Sequence, residues 1–284
     1  MNKPLLAFFL LSAALVAIPC RAQDQPARTI THIAGDLYQF QNGGHRAVFL
    51  VTPEGIIASD PINRDAATWL KDELQRRFGQ PVRYVVYSHD HADHIGGGEV
   101  FDEDAVVVAH EKAKATIIGE HRPTAVPEVT FSDRMSLELG GKTVDLIYVG
   151  RGHSDNTLVM HFPAERAVFA VDFISVQRLP YRDLGDSYFP DWIDAVRTVE
   201  TLDFDLLIPG HGPLGTKADA VEHRQYLAAL YEAVLEAARA GQSLEEMQET
   251  ITLDAYRHLG QYEAWLPLNI EGVYKQVSLH RRGN

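Results

Sequence analysis

Residues 88–97 of this 284-residue chain read Ser-His-Asp-His-Ala-Asp-His-Ile-Gly-Gly. His89, Asp90, His91, Asp93 and His94 thus fall within six positions. Imidazole nitrogen and carboxylate oxygen are the donors preferred by zinc and by some iron sites. A lone histidine is most often a hydrogen-bonded or surface residue, but several ionisable groups packed at one strand end are costly without a counter-ion. The apolar run VRYVVYS leads directly into the cluster. In an extended segment His89 and His91 project from one side, because side chains repeat with period two. Asp93 and His94 lie beyond the strand and can turn toward a second ion. The same alternation points Asp90 away from the metals, either to a hydrogen bond with a ligand or to solvent.

Three distant residues fit the same chemistry. His153 follows Gly150-Arg151-Gly152, Asp172 ends the apolar run AVFAV, and His211 stands in Ile208-Pro209-Gly210-His211-Gly212. Each comes just after a β-rich run and beside a turn residue, where loops can converge on one pocket. His32, His45, His110, His121, His161, His223, His258 and His280 have no motif partners, and their expected roles are structural or solvated.

The elements that must position these groups show in the periodicity. Residues 30–58 alternate short β-rich runs with turn signals at Gly43-Gly44 and Pro53-Glu54-Gly55, as a meander of antiparallel strands does. Asn63 stands as an N-cap before a helix carrying Ala67, Leu70, Leu74 and Phe78, with Gly79 as its stop. AVVVAH reads as a strand and EKAKATIIGEH as a helix. Strands are expected at 129–131, 136–139, 143–149, TLVMHF, AVFAV and 206–208, and helices at 191–202 and 218–240. Strand runs in both halves, each with helices, imply an α/β chain in which two stacked sheets are covered by helices on their outer faces. No Ser/Gly linker, repeat or charge block marks a boundary, so a single domain over 23–284 is expected.

The first residues, MNKPLLAFFLLSAALVAIPCRAQ, have one Lys ahead of an apolar run and small residues at Cys20 and Ala22. This is the pattern of a signal peptide over 1–22, cut after Ala22, and it implies a periplasmic or secreted protein. The run is shorter than the roughly 20 apolar residues of a spanning helix, so no membrane span is expected after processing. Cys20 is the sole cysteine, which leaves the mature chain without disulfides or thiolate ligands. The formal charge is −13, and removal of Lys3 and Arg21 makes the mature chain more acidic still. Such a balance disfavours a phosphate-tracking surface, so the expected partner is a small-molecule substrate rather than nucleic acid.

Taken in order, HxHxDHxGG, GHS, an Asp after an apolar strand, and PGHG resemble the metallo-β-lactamase superfamily over about residues 30–212. The resemblance implies a four-layer αββα sandwich with two Zn2+ ions at one edge. His89, His91 and His153 would hold the first, and Asp93, His94 and His211 the second, with Asp172 bridging. A catalytic zinc keeps about three protein ligands and leaves a position for water, so seven donors for two ions suit this division. Two such ions share a hydroxide and need no serine or cysteine nucleophile. Asp93 would orient that hydroxide and, by the resemblance, carry the proton to the leaving group.

The implied activity is hydrolysis of a small acyl substrate: a β-lactam, lactone, ester or thioester. Gly152-His153-Ser154-Asp155-Asn156 is similar to the corresponding segment of true β-lactamases, whereas Asp172 stands where those enzymes carry a cysteine and instead resembles glyoxalase II thioesterases and lactonases. β-Lactamase activity is the leading named candidate. The alternatives are a mononuclear iron persulfide dioxygenase and a phosphodiesterase of the same fold. Residues 176–192, rich in aromatics, are the expected specificity loop, with Tyr181, Tyr188 and Trp192 as candidate substrate contacts.

Overall fold

The computed structural model describes residues 26–101 and 103–280. The leader expected at 1–22, with Cys20, lies outside the described residues, as does the side chain of His280.

The first sheet takes the strands in chain order: β1 (Arg28–Ala34), β2 (Leu37–Asn42), β3 (His45–Thr52), β4 (Gly55–Ser59), β5 (Val82–Val86), β6 (Val106–His110) and β7 (Val129–Phe131). The first four form the expected antiparallel meander, and β4 to β7 run parallel. The second sheet is built from β8 (Arg134–Leu139), β9 (Lys142–Tyr148), β10 (Leu158–Phe162), β11 (Ala167–Val171) and β12 (Leu206–Pro209), in the order β12-β11-β10-β9-β8. Only β11 and β12 are parallel there.

The helices are α1 (Arg64–Phe78), α2 (Ala92–Ile95), α3 (Glu111–Gly119), α4 (Asp191–Glu200), α5 (Lys217–Arg239), α6 (Leu244–Thr250) and α7 (Tyr262–His280). α1 starts and stops as its sequence predicts. The Asn63 side chain accepts from the Ala66 N–H, and Gly79 closes the helix in the left-handed region at φ 62°. α6 and α7 carry no motif and were not anticipated.

Period-two alternation explains why the sheets stack. Along β3, Val48 and Leu50 face the second sheet, while Ala47 and Phe49 face α1. Along β10, Leu158, Met160 and Phe162 enter the layer between the sheets, and Val159 faces the opposite helices. α1 and α3 cover the outer face of the first sheet. α4, α5 and α7 cover that of the second. The result is the four-layer αββα sandwich. No helix among the described residues is long and apolar enough to cross a membrane.

This topology fixes where the chemistry sits. Parallel pairing puts the carboxyl ends of β4 and β5 at one edge, and does the same for β11 and β12. β3 runs antiparallel to β4, so its first residue, His45, starts from that same edge.

Candidate metal centre

All seven donors expected from the sequence come together at this edge. One ligand atom each from His89, His91 and His153 lie within 4.8 Å of one another, and so do one each from Asp93, His94, Asp172 and His211. His89 and His91 do face one site, with ring centroids 4.4 Å apart, but not by strand alternation. β5 ends at Val86, and a bend at 88–90 turns both rings inward. Asp93 and His94 then sit on the single turn of α2, which aims them at the second group. Asp90 turns away as expected: it is buried, accepts from Asn156 Nδ2 at 2.8 Å and pairs with Arg122 at 3.0 Å.

Asp172 is delivered by an unusual backbone. Val171 has φ 43°, a left-handed conformation costly for a β-branched residue, and it swings the next side chain off the strand into the second group. Asp172 Oδ2 lies 3.2 Å from His94 Nε2 and 3.5 Å from His211 Nε2.

The outer nitrogens of four of the five imidazoles are held by hydrogen-bond partners, which orients the inner ones toward the cluster. His211 Nδ1 donates to the Gly44 carbonyl at 3.0 Å. His94 Nδ1 donates to Asp60 at 3.2 Å, and His91 Nε2 to Asp186 at 2.8 Å. His89 Nδ1 meets the Ser88 hydroxyl at 2.9 Å. Two buried atoms of the cluster residues, His89 Nε2 and Asp172 Oδ1, the latter against Gly210, have no hydrogen-bond partner. A buried polar atom left bare is costly, so the donor set fits divalent cations.

Electrostatics agree with that fit. Burial pushes His89 well below the usual imidazole range, and burial lowers His153 to about 4, so both favour the neutral form that binds metal. Burial would also lower His94 and His211, but carboxylates prevail. Asp172 and Asp60 raise His94 well above its ordinary value, and Asp172 and Asp93 raise His211 to about 9. Asp172 is held well below the carboxylate range by His94 and His211 in spite of its burial. The His211 and His45 imidazoles, 3.7 and 3.3 Å from its Oδ2, do the same for Asp93. The carboxylates around His94 and His211 thus make a field that favours positive charge at the second group.

Four residues at the centre were not foreseen. His45, expected to be structural or solvated, instead places Nε2 3.3 Å from Asp93 Oδ2 and lines the cavity. Asp60, fully buried, accepts from both the Ser88 amide and hydroxyl. Asp186 backs His91, and Arg178 faces the cavity beside the second group. Of these, His45 and Asp60 depend on the β3–β4 register, which no local motif reveals.

The donors open into a cavity of about 750 Å³. The 176–192 segment forms much of its wall, including Arg178, Tyr181 and Asp186. Gln261 and Trp265, at the start of α7, complete the wall. Trp192 borders it but is almost wholly buried; its Nε1 donates to the Phe173 carbonyl and its ring lies 6.0 Å from that of His153. Tyr188 is not on the wall: it packs under the Arg151 guanidinium, 4.9 Å away.

Residues 62–211 match the family model described as the metallo-beta-lactamase superfamily. The chain is 30% identical over 192 residues to 2,4-dinitroanisole O-demethylase subunit alpha of Nocardioides sp. (strain JS1661); that match covers 66% of this chain and 58% of the relative, so it spans under two thirds of the demethylase subunit. It is 24% identical over 245 residues to the type 2 metallo-beta-lactamase of Elizabethkingia meningoseptica, covering 82% of this chain and 97% of that one. A metallo-beta-lactamase from Pontibacter korlensis has the same fold, with TM-score 0.65 at 21% identity over 71% of this chain and 99% of its own. The family match spans every donor from His89 to His211, and the chain belongs to the metallo-β-lactamase superfamily of metalloenzymes.

Proposed function

We propose that the protein is a hydrolase that binds two zinc ions and opens a small acyl substrate, with β-lactamase activity the leading specific candidate. The observation that carries this reading is the pair of donor groups, three imidazoles in one and two imidazoles with two carboxylates in the other, opening into one cavity. Zinc ions there would supply Lewis acidity and a nucleophile from water at neutral pH.

The chain's own residues supply the rest. Asp93, whose side chain is half exposed to the cavity, is placed to take the proton of the attacking water and return it to the leaving group. Acyl–X and water then give a carboxylic acid and HX, with no covalent adduct on the protein. His94 is buried, and Asp172, largely buried, lies 3.2 Å from it; together they fix the second group's geometry.

Arg178 narrows the substrate class. Its Nε is buried without a hydrogen-bond partner, and its guanidinium lies 5.4 Å from the Trp265 ring. A half-buried cation that, among the described residues, has no carboxylate in ion-pair contact is suited to an anionic group on the occupant. β-Lactams carry such a carboxylate, and many simple esters do not.

The mononuclear iron alternative leaves the second group unexplained, since one ion needs only the first. A different second reading comes from the demethylase relative, whose 30% identity admits cleavage of an activated aryl methyl ether. Export through the leader read at 1–22 would place the enzyme in the periplasm or outside the cell, where β-lactams and lactones arrive. The test is elemental analysis together with a panel of β-lactam, lactone, thioester, phosphodiester and nitroaryl methyl ether substrates. Two zinc per chain with acyl turnover supports the reading. One iron per chain with oxidation of persulfides overturns it.

A further inference from the structure

We propose that His45 is a positioning residue for the second metal site, holding the Asp93 carboxylate in the orientation that presents it to an ion. The proposal rests on the two-ion reading above. It concerns a residue outside the stretch 62–211 that matches the family model.

Three imidazoles surround one oxygen. Asp93 Oδ2 lies 3.3 Å from His45 Nε2, 3.7 Å from His211 Nε2 and 3.9 Å from His94 Nε2. Two of them are committed elsewhere once an ion is present. A carbonyl only accepts, so His211 carries its hydrogen on the Nδ1 that faces Gly44; Asp60 draws the His94 hydrogen to Nδ1 in the same way. Their Nε2 lone pairs then point at the ion and cannot donate to Asp93. His45 does not belong to the four-donor group. Its Nε2 is left as the nearest polar contact of the carboxylate, 3.3 Å from Oδ2, and the other lone pairs of Asp93 remain for coordination.

Asp93 needs such a partner. It sits on the one-turn helix α2 with half of its side chain in solvent. An unrestrained carboxylate there would lose rotamer freedom on binding, and preorganisation removes that cost.

The hairpin between β2 and β3 is built for the task. Gly43, at φ 59°, makes a turn that a side chain would strain, and pairing of Asn42 with His45 fixes the register. From there three consecutive residues brace the site. The Gly44 carbonyl orients His211, His45 holds Asp93, and the Arg46 amide donates to the Gly210 carbonyl at 2.8 Å.

The test compares His45→Ala and His45→Gln with the wild type, by stepwise zinc titration against a chromophoric chelator. Cobalt-substituted absorption spectra and thermal unfolding of the metal-free proteins complete it. In His45→Ala the first equivalent binds as in the wild type and the second binds about 10–100-fold more weakly. The second-site cobalt bands change, and the metal-free midpoint stays put. His45→Gln, which keeps an N–H donor, recovers most of the second-site affinity. An unaffected second equivalent in His45→Ala overturns the proposal alone. Equal weakening of both equivalents with a lower metal-free midpoint marks a structural role and also overturns it. A wild type that takes up only one equivalent overturns the two-ion reading itself.

Discussion

Asp60 Oδ2 lies 3.2 Å from His94 Nδ1 and also accepts the Ser88 hydroxyl, which meets His89 Nδ1 at 2.9 Å. One buried carboxylate therefore orients an imidazole in each donor group. Asp60→Asn keeps the shape but removes the charge that sets both tautomers. The expected outcome is a loss of about 10–100-fold in affinity for both metal equivalents, measured by chelator competition. A loss confined to one equivalent would show that Asp60 serves a single group.

Arg178 faces the cavity with an unpartnered Nε, and among the described residues no carboxylate pairs with it. Arg46 lies near enough that Arg178 contributes to lowering its pKa, after burial. Arg178→Ala is expected to lower kcat/KM for carboxylate-bearing substrates by about 10–100-fold, the worth of a hydrogen bond to a charged group. The loss should fall mainly on KM, and an uncharged ester should be hydrolysed as before. Steady-state kinetics on a β-lactam and on its methyl ester would separate the two.

His223 is fully buried against Trp192, and its Nε2 has no hydrogen-bond partner. Burial lowers its pKa to about 3, so it stays neutral in the fold. As pH falls through the unfolded-state value near 6.5, the unfolded chain takes up a proton that the fold refuses until about pH 3. Stability is therefore lost progressively across that window. Between pH 7 and 5 the loss should reach about 1–2 kcal/mol. Metal-free His223→Leu, compared with metal-free wild type by denaturant unfolding, should show a shallower acid dependence by that amount. Identical slopes would mean that His223 is solvated.

How much of this centre was legible depends on how local each signal is. His89, His91, Asp93 and His94 sit within six positions, and His153, Asp172 and His211 each follow an apolar strand beside a turn residue, so donors and strand ends could be read together. Their division into two groups came from the family resemblance, and the geometry brings together the same sets, with Asp172 in the second. His45 and Asp60 escaped because their roles arise from strand register. Nothing in NGGHRAV says that the first residue of β3 will face α2 until β3 and β4 are paired. Trp265 escaped for a similar reason: its segment has no motif, and only the return of α7 past the 176–192 segment brings it to the cavity.

Tyr188 was a candidate substrate contact, but its ring stacks under Arg151, which pairs with Asp191, and its backbone N–H donates to the Gly152 carbonyl at 2.9 Å. Its work is to brace the loop that carries His153. Phenylalanine keeps the ring and the backbone bond. Tyr188→Phe should thus leave kcat/KM within about twofold of wild type. A larger loss for every substrate would return the hydroxyl to the reaction.

Gly210 sets the tightest contact behind the second group. A Cβ built on it would lie 2.5 Å from Asp172 Oδ1, 2.9 Å from His94 Cε1 and 3.0 Å from Val171 Cγ2. Real Cβ atoms essentially never approach so closely, so Gly210→Ala must displace something. Val171 is already held in a left-handed conformation and His94 is anchored to Asp60. The Asp172 carboxylate is then the group with freedom to move. Its Oδ1 has no hydrogen-bond partner to lose, which lets the fold absorb the methyl group while the donor set does not. Gly210→Ala should fold with a modest fall in melting temperature and bind the second equivalent of zinc at least about 10-fold more weakly, the scale of a disturbed ligand geometry. The first equivalent, held by His89, His91 and His153, should bind as in wild type. Wild-type affinity for both equivalents would show that the 209–212 turn shifts instead, and that Asp172 does not depend on the bare backbone of Gly210.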